Sequence, residues 1–403
     1  MLKNNKKSIL YISYDGILEP LGQSQVLAYL LLLASEYSIH LISFEKGVDW
    51  SDSTSRDMVA KNIVTAGIVW HPMRYHKSPA ALATAWDIFS GIALGLWLII
   101  RYRLHIVHAR SYVPSVMALT LKLLTGAKFL FDMRGFWADE RVDCGLWVES
   151  SYIYFIAKWF ERHFLLKADH IVSLTQKAVS VIENFDYLRG CMPPYTVIPT
   201  CADLNCFKPS LDKLGNNFFV LGYVGTANNW YLFDNVAITM AVLLRINPNA
   251  RFLVVNRGEH DFIRQRLQIA GVPDSVTEII SATHGEVPAL MARMNAGIFF
   301  IKPAFSKQAS APTKLAEFLG CGIPCLSNEG VGDMAEVLEV DRVGIAIKSF
   351  DQASLSQGLE QLLKLCADPE VSGRCVAAAH RHFSLDEGVA RYRAIYASLG
   401  EAV

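Results

Sequence analysis

The stretch Ser310-Ala311-Pro312-Thr313-Lys314-Leu315-Ala316-Glu317-Phe318-Leu319-Gly320-Cys321-Gly322-Ile323-Pro324 reads as a short helix, a glycine stop and then a strand. Ser310 is placed to cap, Pro312 suits a first helical turn, and Gly320 or Gly322 supplies the left-handed exit. A helix start of this kind presents unpaired N–H groups and the positive end of a dipole, which suits a diphosphate. Lys314 adds a full positive charge, and Glu317, about one turn further on, can accept hydrogen bonds from a ribose diol. Phosphate and diol at one helix end point to a nucleotide. The same spacing also fits an ordinary capped helix with a solvated lysine and glutamate.

Working outward, the chain alternates short apolar strands with helical stretches. Strands are expected at Ile9–Ser13, Ile39–Phe44, Ile68–His71, Ile106–Ala109, Lys128–Asp132 and His170–Leu174, and helices at Gln23–Ser35, Ala80–Tyr102, Tyr112–Leu124 and Ser151–Lys167. This pattern predicts a parallel sheet wrapped on both faces. The passage Tyr195–Leu204 marks a boundary, and the polar run Ser210–Asn217 reads as a linker. A second alternating unit starts at Phe218–Gly225 and continues through a helix near Asn235–Ile246 and strands Arg251–Val255 and Ala296–Phe300. After the quoted helix come a strand at Pro324–Ser327 and then helices to the end.

The 403 residues suffice for two cores. Basic and acidic residues balance at 38 each, so no global field points to nucleic acid as a partner. The mean hydropathy of +0.25 tilts toward a membrane-adjacent life. Eight scattered cysteines without paired zinc-type spacing read as reduced, cytosolic and mostly buried, and no metal site is expected. The basic start Lys3–Lys7 precedes an apolar run, but Asp15 and Gly16 interrupt it too soon for a signal peptide, so it reads as a first strand. The run Pro79–Ile100 is apolar except for Thr84, Asp87 and Ser90, and about 20 residues just span a bilayer. A core or surface helix is the preferred reading. Partial dipping into a membrane surface is a further one, helped by Trp86, Trp97, Arg101 and Arg103.

The run Pro312–Glu317, ending Gly322-Ile323-Pro324, resembles the donor-nucleotide helix of family 4 retaining glycosyltransferases, in the branch with a Pro-Thr-Lys-Leu-x-Glu signature. Pro20-Leu21-Gly22-Gln23-Ser24-Gln25 and Asp132–Arg141 resemble two further segments of that branch. The resemblance implies an α/β chain of the GT-B fold, with two Rossmann-like doubly wound parallel-sheet domains facing a central cleft. Residues 1–200 would form the acceptor-side domain and 210–385 the nucleotide-sugar-binding domain. Residues 386–403 would form a terminal helix packing back on the first. Two departures stand out. Ala309 occupies the place of the usual first glutamate, eight residues before Glu317, and no Arg–Lys pair follows Gly225 before Asn235.

The resemblance implies a set of site residues. His108 would touch the donor sugar near its reacting carbon, and an imidazole can donate there without a fixed charge. Asp132 and Arg134 complete the expected catalytic group. Gly22, Gly225, Ser310, Pro312, Thr313, Lys314 and Glu317 would meet the nucleotide and its phosphates, with Arg257 and Lys302 as donor-side helpers. Gln23, Arg110, Trp137, Asp139, Glu140 and Arg141 would shape the acceptor side, aromatic faces suiting sugar C–H faces. His108 also fits a histidine satisfied at a strand end, and the Asp132–Arg141 run also fits an ion-paired loop.

The implied activity is metal-independent, retaining transfer of a sugar from a nucleotide-sugar substrate, with no cofactor. The acceptor would be a glycan or lipid-linked molecule in synthesis of a bacterial-type surface polysaccharide or glycolipid. The implied setting is the cytoplasm, including peripheral contact with the inner face of the cell membrane. Two other readings stand beside it: a nucleotide-sugar epimerase of the same fold, and a degenerate GT-B subunit that partners another transferase.

Overall fold

A computed structural model describes residues 6–210 and 218–401. Residues 3–5 of the expected basic start, and the expected linker beyond Ser210, lie outside the described residues. The chain divides into two compact units, Met1–Ile198 with Gly388–Val403, and Pro199–Glu387.

The first unit is built on seven strands: β1 (Ser8–Ser13), β2 (Ser38–Glu45), β3 (Val69–Arg74), β4 (Ile106–Arg110), β5 (Lys128–Asp132), β6 (His170–Ser173) and β7 (Tyr195–Val197). Their order is β3-β2-β1-β4-β5-β6-β7, with all neighbours parallel. The consecutive residues Ile9, Leu10, Tyr11 and Ile12 are all buried, as a strand covered on both faces requires. Strand order reverses direction between β1 and β4. An open α/β sheet leaves a crevice at the carboxyl ends of its strands there, so Asp15 and Arg110 come to one place.

The Leu385–Glu401 helix belongs to this unit from Gly388 onward. It buries Tyr392 and Tyr396, and Arg391 donates to the Val197 carbonyl at 2.7 Å.

The Ala80–Tyr102 helix is the one helix among the described residues long and apolar enough to cross a membrane. Here it packs against β1 and the Tyr112–Thr125 helix. Its single carboxylate, Asp87, is fully buried and accepts hydrogen bonds from the Tyr14 hydroxyl (2.8 Å) and the His76 N–H (3.1 Å). The outward side exposes Leu82, Trp86, Phe89, Trp97 and Ile100.

The first turn departs from expectation. Helical structure begins at Pro20, not Gln23, and runs to Leu33 with a π-helical turn over Gln23–Leu27. Gly22 is therefore a buried helical residue and not part of an open phosphate-approaching loop. A β-carbon there would lie 1.9 Å from the Gly16 carbonyl oxygen, so glycine is needed for backbone packing. Gln23 is also engaged internally, donating to the Leu18 carbonyl at 3.0 Å. The 16–18 turn is further held by Glu45, whose carboxylate accepts from the N–H groups of Ile17 (2.9 Å) and Leu18 (3.2 Å).

The second unit carries β8 (Val220–Val224), β9 (Arg251–Val255), β10 (Thr277–Ile280), β11 (Ala296–Ile298), β12 (Cys325–Asn328) and β13 (Gly344–Ile347), all parallel. Their order, β10-β9-β8-β11-β12-β13, places the reversal between β8 and β11. The sequence reading expected only helices after β12. Instead Gly344–Ile347, four residues long, adds an edge strand beside β12.

Candidate functional site

At the reversal point of the second unit, the loop after β8 meets the Thr313–Gly320 helix. Pro312 is the extended residue that precedes this helix, and no side chain caps its start. Ser310 is thus not the cap. It is half-buried two residues upstream, and Thr313 is the first helical residue. Of the two candidate exits, Gly322 takes the left-handed conformation (φ +74°).

Lys314 does not reach into solvent. It is 7% exposed, and its ammonium lies 3.4 Å from the Tyr231 ring centre and 4.4 Å from that of Tyr223. It donates to the Tyr223 hydroxyl and the Thr226 carbonyl, each at 3.3 Å. Aromatic faces attract a cation, but burial depresses the Lys314 pKa well below its ordinary value despite Glu317 nearby. Burial pushes the Glu317 carboxyl up to about 7, with Lys314 pulling the other way. Burial thus disfavours the charged form of both groups, at a helix start whose dipole favours an anion.

Gly225 adopts φ +95°, and a β-carbon on it would lie 2.8 Å from Lys314 Cε. The loop is fixed by Glu259, which accepts from the Ala227 N–H (2.7 Å), Asn228 (2.8 Å) and Asn256 (2.7 Å). Burial would raise the Glu259 pKa, but the Ala227 N–H and the two asparagine side chains outweigh it and hold it down. The expected helpers Arg257 and Lys302 are exposed, and Lys302 meets the 225–231 loop through its backbone N–H, which donates to the Trp230 carbonyl at 2.8 Å. Ala309 is 1% exposed, so the position of the usual first glutamate is part of the packed interior. Tyr223 and Tyr231 escaped the sequence reading as site residues. The aromatic residue Tyr231 closing the Gly225–Tyr231 run was the available signal.

In the first unit, Asp132 ends β5 fully buried. It accepts from the Tyr392 hydroxyl at 3.1 Å, with His108 Nε2 at 3.5 Å, Arg110 at 3.8 Å and Arg134 at 4.0 Å. The expected catalytic trio is thus brought together, but His108 is 1% exposed, pairs through Nδ1 with the Tyr396 hydroxyl (2.7 Å) and lies 4.2 Å from the Tyr11 ring. In this structure His108 is therefore enclosed by residues of its own unit. Burial depresses its pKa although Asp132 opposes this. Ser111 and Arg134, at φ +69° and +60°, are non-glycine residues in the left-handed region on either side of this cluster. Such strain, about 1–3 kcal/mol each, commonly accompanies function.

Beside the cluster lies a cavity of about 930 Å³ contained within the first unit. Arg110, Trp137 and Arg141, three of the expected acceptor-side residues, line it. Asp139 does not. It accepts from Tyr154 (2.8 Å) and Lys158 (2.9 Å), clamping the Trp137–Asp143 helix to the Tyr152–Lys167 helix. Glu140 is half-buried on the same short helix and is not among the cavity residues.

A family model for glycosyl transferases group 1 matches residues 211–381. No curated protein matches the chain. Among solved structures, sucrose-phosphate synthase from Thermosynechococcus elongatus superposes with a TM-score of 0.74 at 14% identity, covering 99% of this chain and 100% of that one. A glycosyltransferase from Rickettsia africae gives 0.71 at 14% identity, covering 98% and 99%. Anabaena HepE, in complex with UDP and glucose, gives 0.65 at 13% identity, covering 97% and 100%. The two parallel-sheet α/β units are those of the GT-B fold.

Proposed function

We propose that this protein is a retaining, nucleotide-sugar-dependent glycosyltransferase of family 4. The Lys314–Glu317 pair at the β8/β11 reversal point, facing the glycine-opened 225–231 loop, is the observation that carries this reading. The donor diphosphate would sit at the start of the 313–320 helix, where its negative charge would favour the protonated Lys314 that burial disfavours. Glu317 would accept the ribose diol. Loss of the nucleoside diphosphate leaves a cationic sugar, so stabilising the departing phosphates is the main electrostatic task. The group 1 match over 211–381 supports the donor half of this assignment. The proposed acceptor is a glycan or lipid-linked molecule taken by the first unit. The proposed setting is the cytoplasm at a membrane surface, supported by the exposed apolar residues of the 80–102 helix.

A thermal-shift panel of UDP, GDP, ADP and CMP with their common sugars tests the donor site. One nucleotide class is expected to stabilise the protein, by about 2.7 kcal/mol at a hundredfold excess over Kd. Because a carboxyl with a pKa of about 7 is protonated below that pH, the affinity is expected to weaken as pH falls from 8 to 6. Glu317→Gln should bind more weakly and lose this pH dependence. A nucleotide response unchanged by Glu317→Gln at every pH would remove Glu317 from the site.

A further inference from the structure

The cavity of the first unit is two-sided. Its floor lies at the β1/β4 reversal point and holds Asp15, Glu19, Lys46, Arg110 and Arg141. Glu19 is paired to Lys46 at 2.6 Å, and Asp15 lies 3.6 Å from Arg110 Nε. The Arg141 guanidinium lies over the Trp137 ring, 5.3 Å from its centre. The lining thus carries three cations and two carboxylates, with Asp132 behind Arg110 at 3.8 Å. Arg110 is 4% exposed, and its Nε has no hydrogen-bond partner. A buried guanidinium N–H in that state calls for an acceptor.

The walls are of a different kind. Ala81, Ala85 and Ile88 come from the 80–102 helix, and Ile153, Ile156 and Phe160 from the 152–167 helix. The same two helices continue outward into exposed apolar side chains: Leu82 at 71%, Trp86 at 58%, Phe155 at 60% and Trp159 at 54%. A purely polar glycan would leave these walls unmatched, and a purely apolar ligand would leave Arg110 unsatisfied. Pockets of this size normally combine an apolar lining with a few convergent polar groups. Tryptophan-bearing apolar helix faces are also the kind that rest in a membrane interface.

We infer that this cavity takes an anionic amphiphile, a phosphate-bearing lipid whose head meets Arg110 and Arg141 and whose chain runs out along the 80–102 and 152–167 helices toward a membrane. The inference rests on the proposed transferase reading and names its acceptor class as lipid phosphate. The two guanidinium groups fix the head, and the apolar walls exclude water from the first carbons of the tail.

The probe is dodecyl phosphate below its micelle concentration, titrated against the full chain by tryptophan fluorescence, since Trp137 and Trp147 both line the cavity. Saturable binding at least tenfold tighter than that of inorganic phosphate or dodecyl maltoside is expected. Ala85→Trp, which fills the wall, and Ile156→Asp, which charges it, should each weaken binding at least tenfold. Both positions are exposed, so circular dichroism should show wild-type folding. Equal binding of dodecyl maltoside, or binding unchanged in both variants, overturns the inference. The nucleotide panel on the wild-type chain separates the two failures. A nucleotide response without amphiphile binding defeats only the acceptor class. Amphiphile binding without any nucleotide response defeats the transferase reading and leaves the cavity an amphiphile site.

Discussion

Asp132→Ala is expected to destabilise the first unit by about 3–5 kcal/mol, a large share of the roughly 5–15 kcal/mol that holds a typical domain. Asp132 is fully buried, and it is the common partner of Tyr392, His108, Arg110 and Arg134. Removing it takes the shared buried carboxylate from Arg134 and from Arg110, which keeps Asp15 at 3.6 Å. Asp132→Asn keeps the volume and a hydrogen-bond acceptor for Tyr392 but not the charge, so most of the loss should remain. Because Tyr392 and Tyr396 lie on the returning helix, both variants should also expose that helix to protease.

The pH dependence has a definite sign. Burial alone would raise the Asp132 pKa, but Arg134, the His108 hydrogen bond and Arg110 outweigh it, and the carboxyl sits below its usual value. The stability it contributes is present above pH ~4 and lost as pH falls further. His108, depressed by burial, is folded neutral and must be charged in acid, so its cost begins as pH falls below ~6.5. Urea midpoints of the wild type should therefore decline from pH 7 downward. An unfolding free energy for Asp132→Ala within about 0.5 kcal/mol of wild type would show that the cluster does not hold the unit.

The second large effect is expected at Gly225. Gly225→Val forces a β-branched residue to φ +95° and sets a carbon 2.8 Å from Lys314 Cε. The strain costs about 1–3 kcal/mol. Lys314 must also leave its place between Tyr223 and Tyr231. Losing a buried charge contact to the donor phosphates costs about 2–3 kcal/mol, on the order of a hundredfold in affinity. Lys314→Met should show the same loss of affinity without the backbone strain. Arg257→Ala and Lys302→Ala, at exposed positions, should change affinity less than about threefold. Calorimetric titration with the responding nucleotide checks all four. Equal losses at the exposed pair would place the phosphates elsewhere.

The alternation of apolar runs was legible because parallel strands are buried on both faces and leave continuous hydrophobic segments, as at Ile9–Ile12 and Phe252–Val255. The short edge strands were not. Thr277–Ile280 is only partly buried, and Gly344–Ile347 offers four residues, too few for a period to show. The Ala80–Tyr102 bounds were readable from composition and its flanking charges. Its true anchor, Asp87 bound to Tyr14 and His76, depends on residues far apart in sequence. The same limit applies to the sites. Lys314 and Glu317 stand out through their spacing, whereas the rings that enclose Lys314 come from β8 and the following loop. His108 reads as a ligand-facing histidine at a strand end. Only the folded chain shows that a helix almost 300 residues later covers it. Gly22 likewise signals a ligand loop in sequence and a backbone contact in space.

Sugar transfer itself is the most direct test of the central claim. The full chain is incubated with the nucleotide-sugar that stabilises it and a lipid extract as acceptor, and products are read by mass spectrometry. The predicted result is a sugar-bearing lipid together with one equivalent of nucleoside diphosphate, abolished by Lys314→Met. An unchanged donor pool, or a donor whose sugar has been epimerised without leaving the nucleotide, would contradict it.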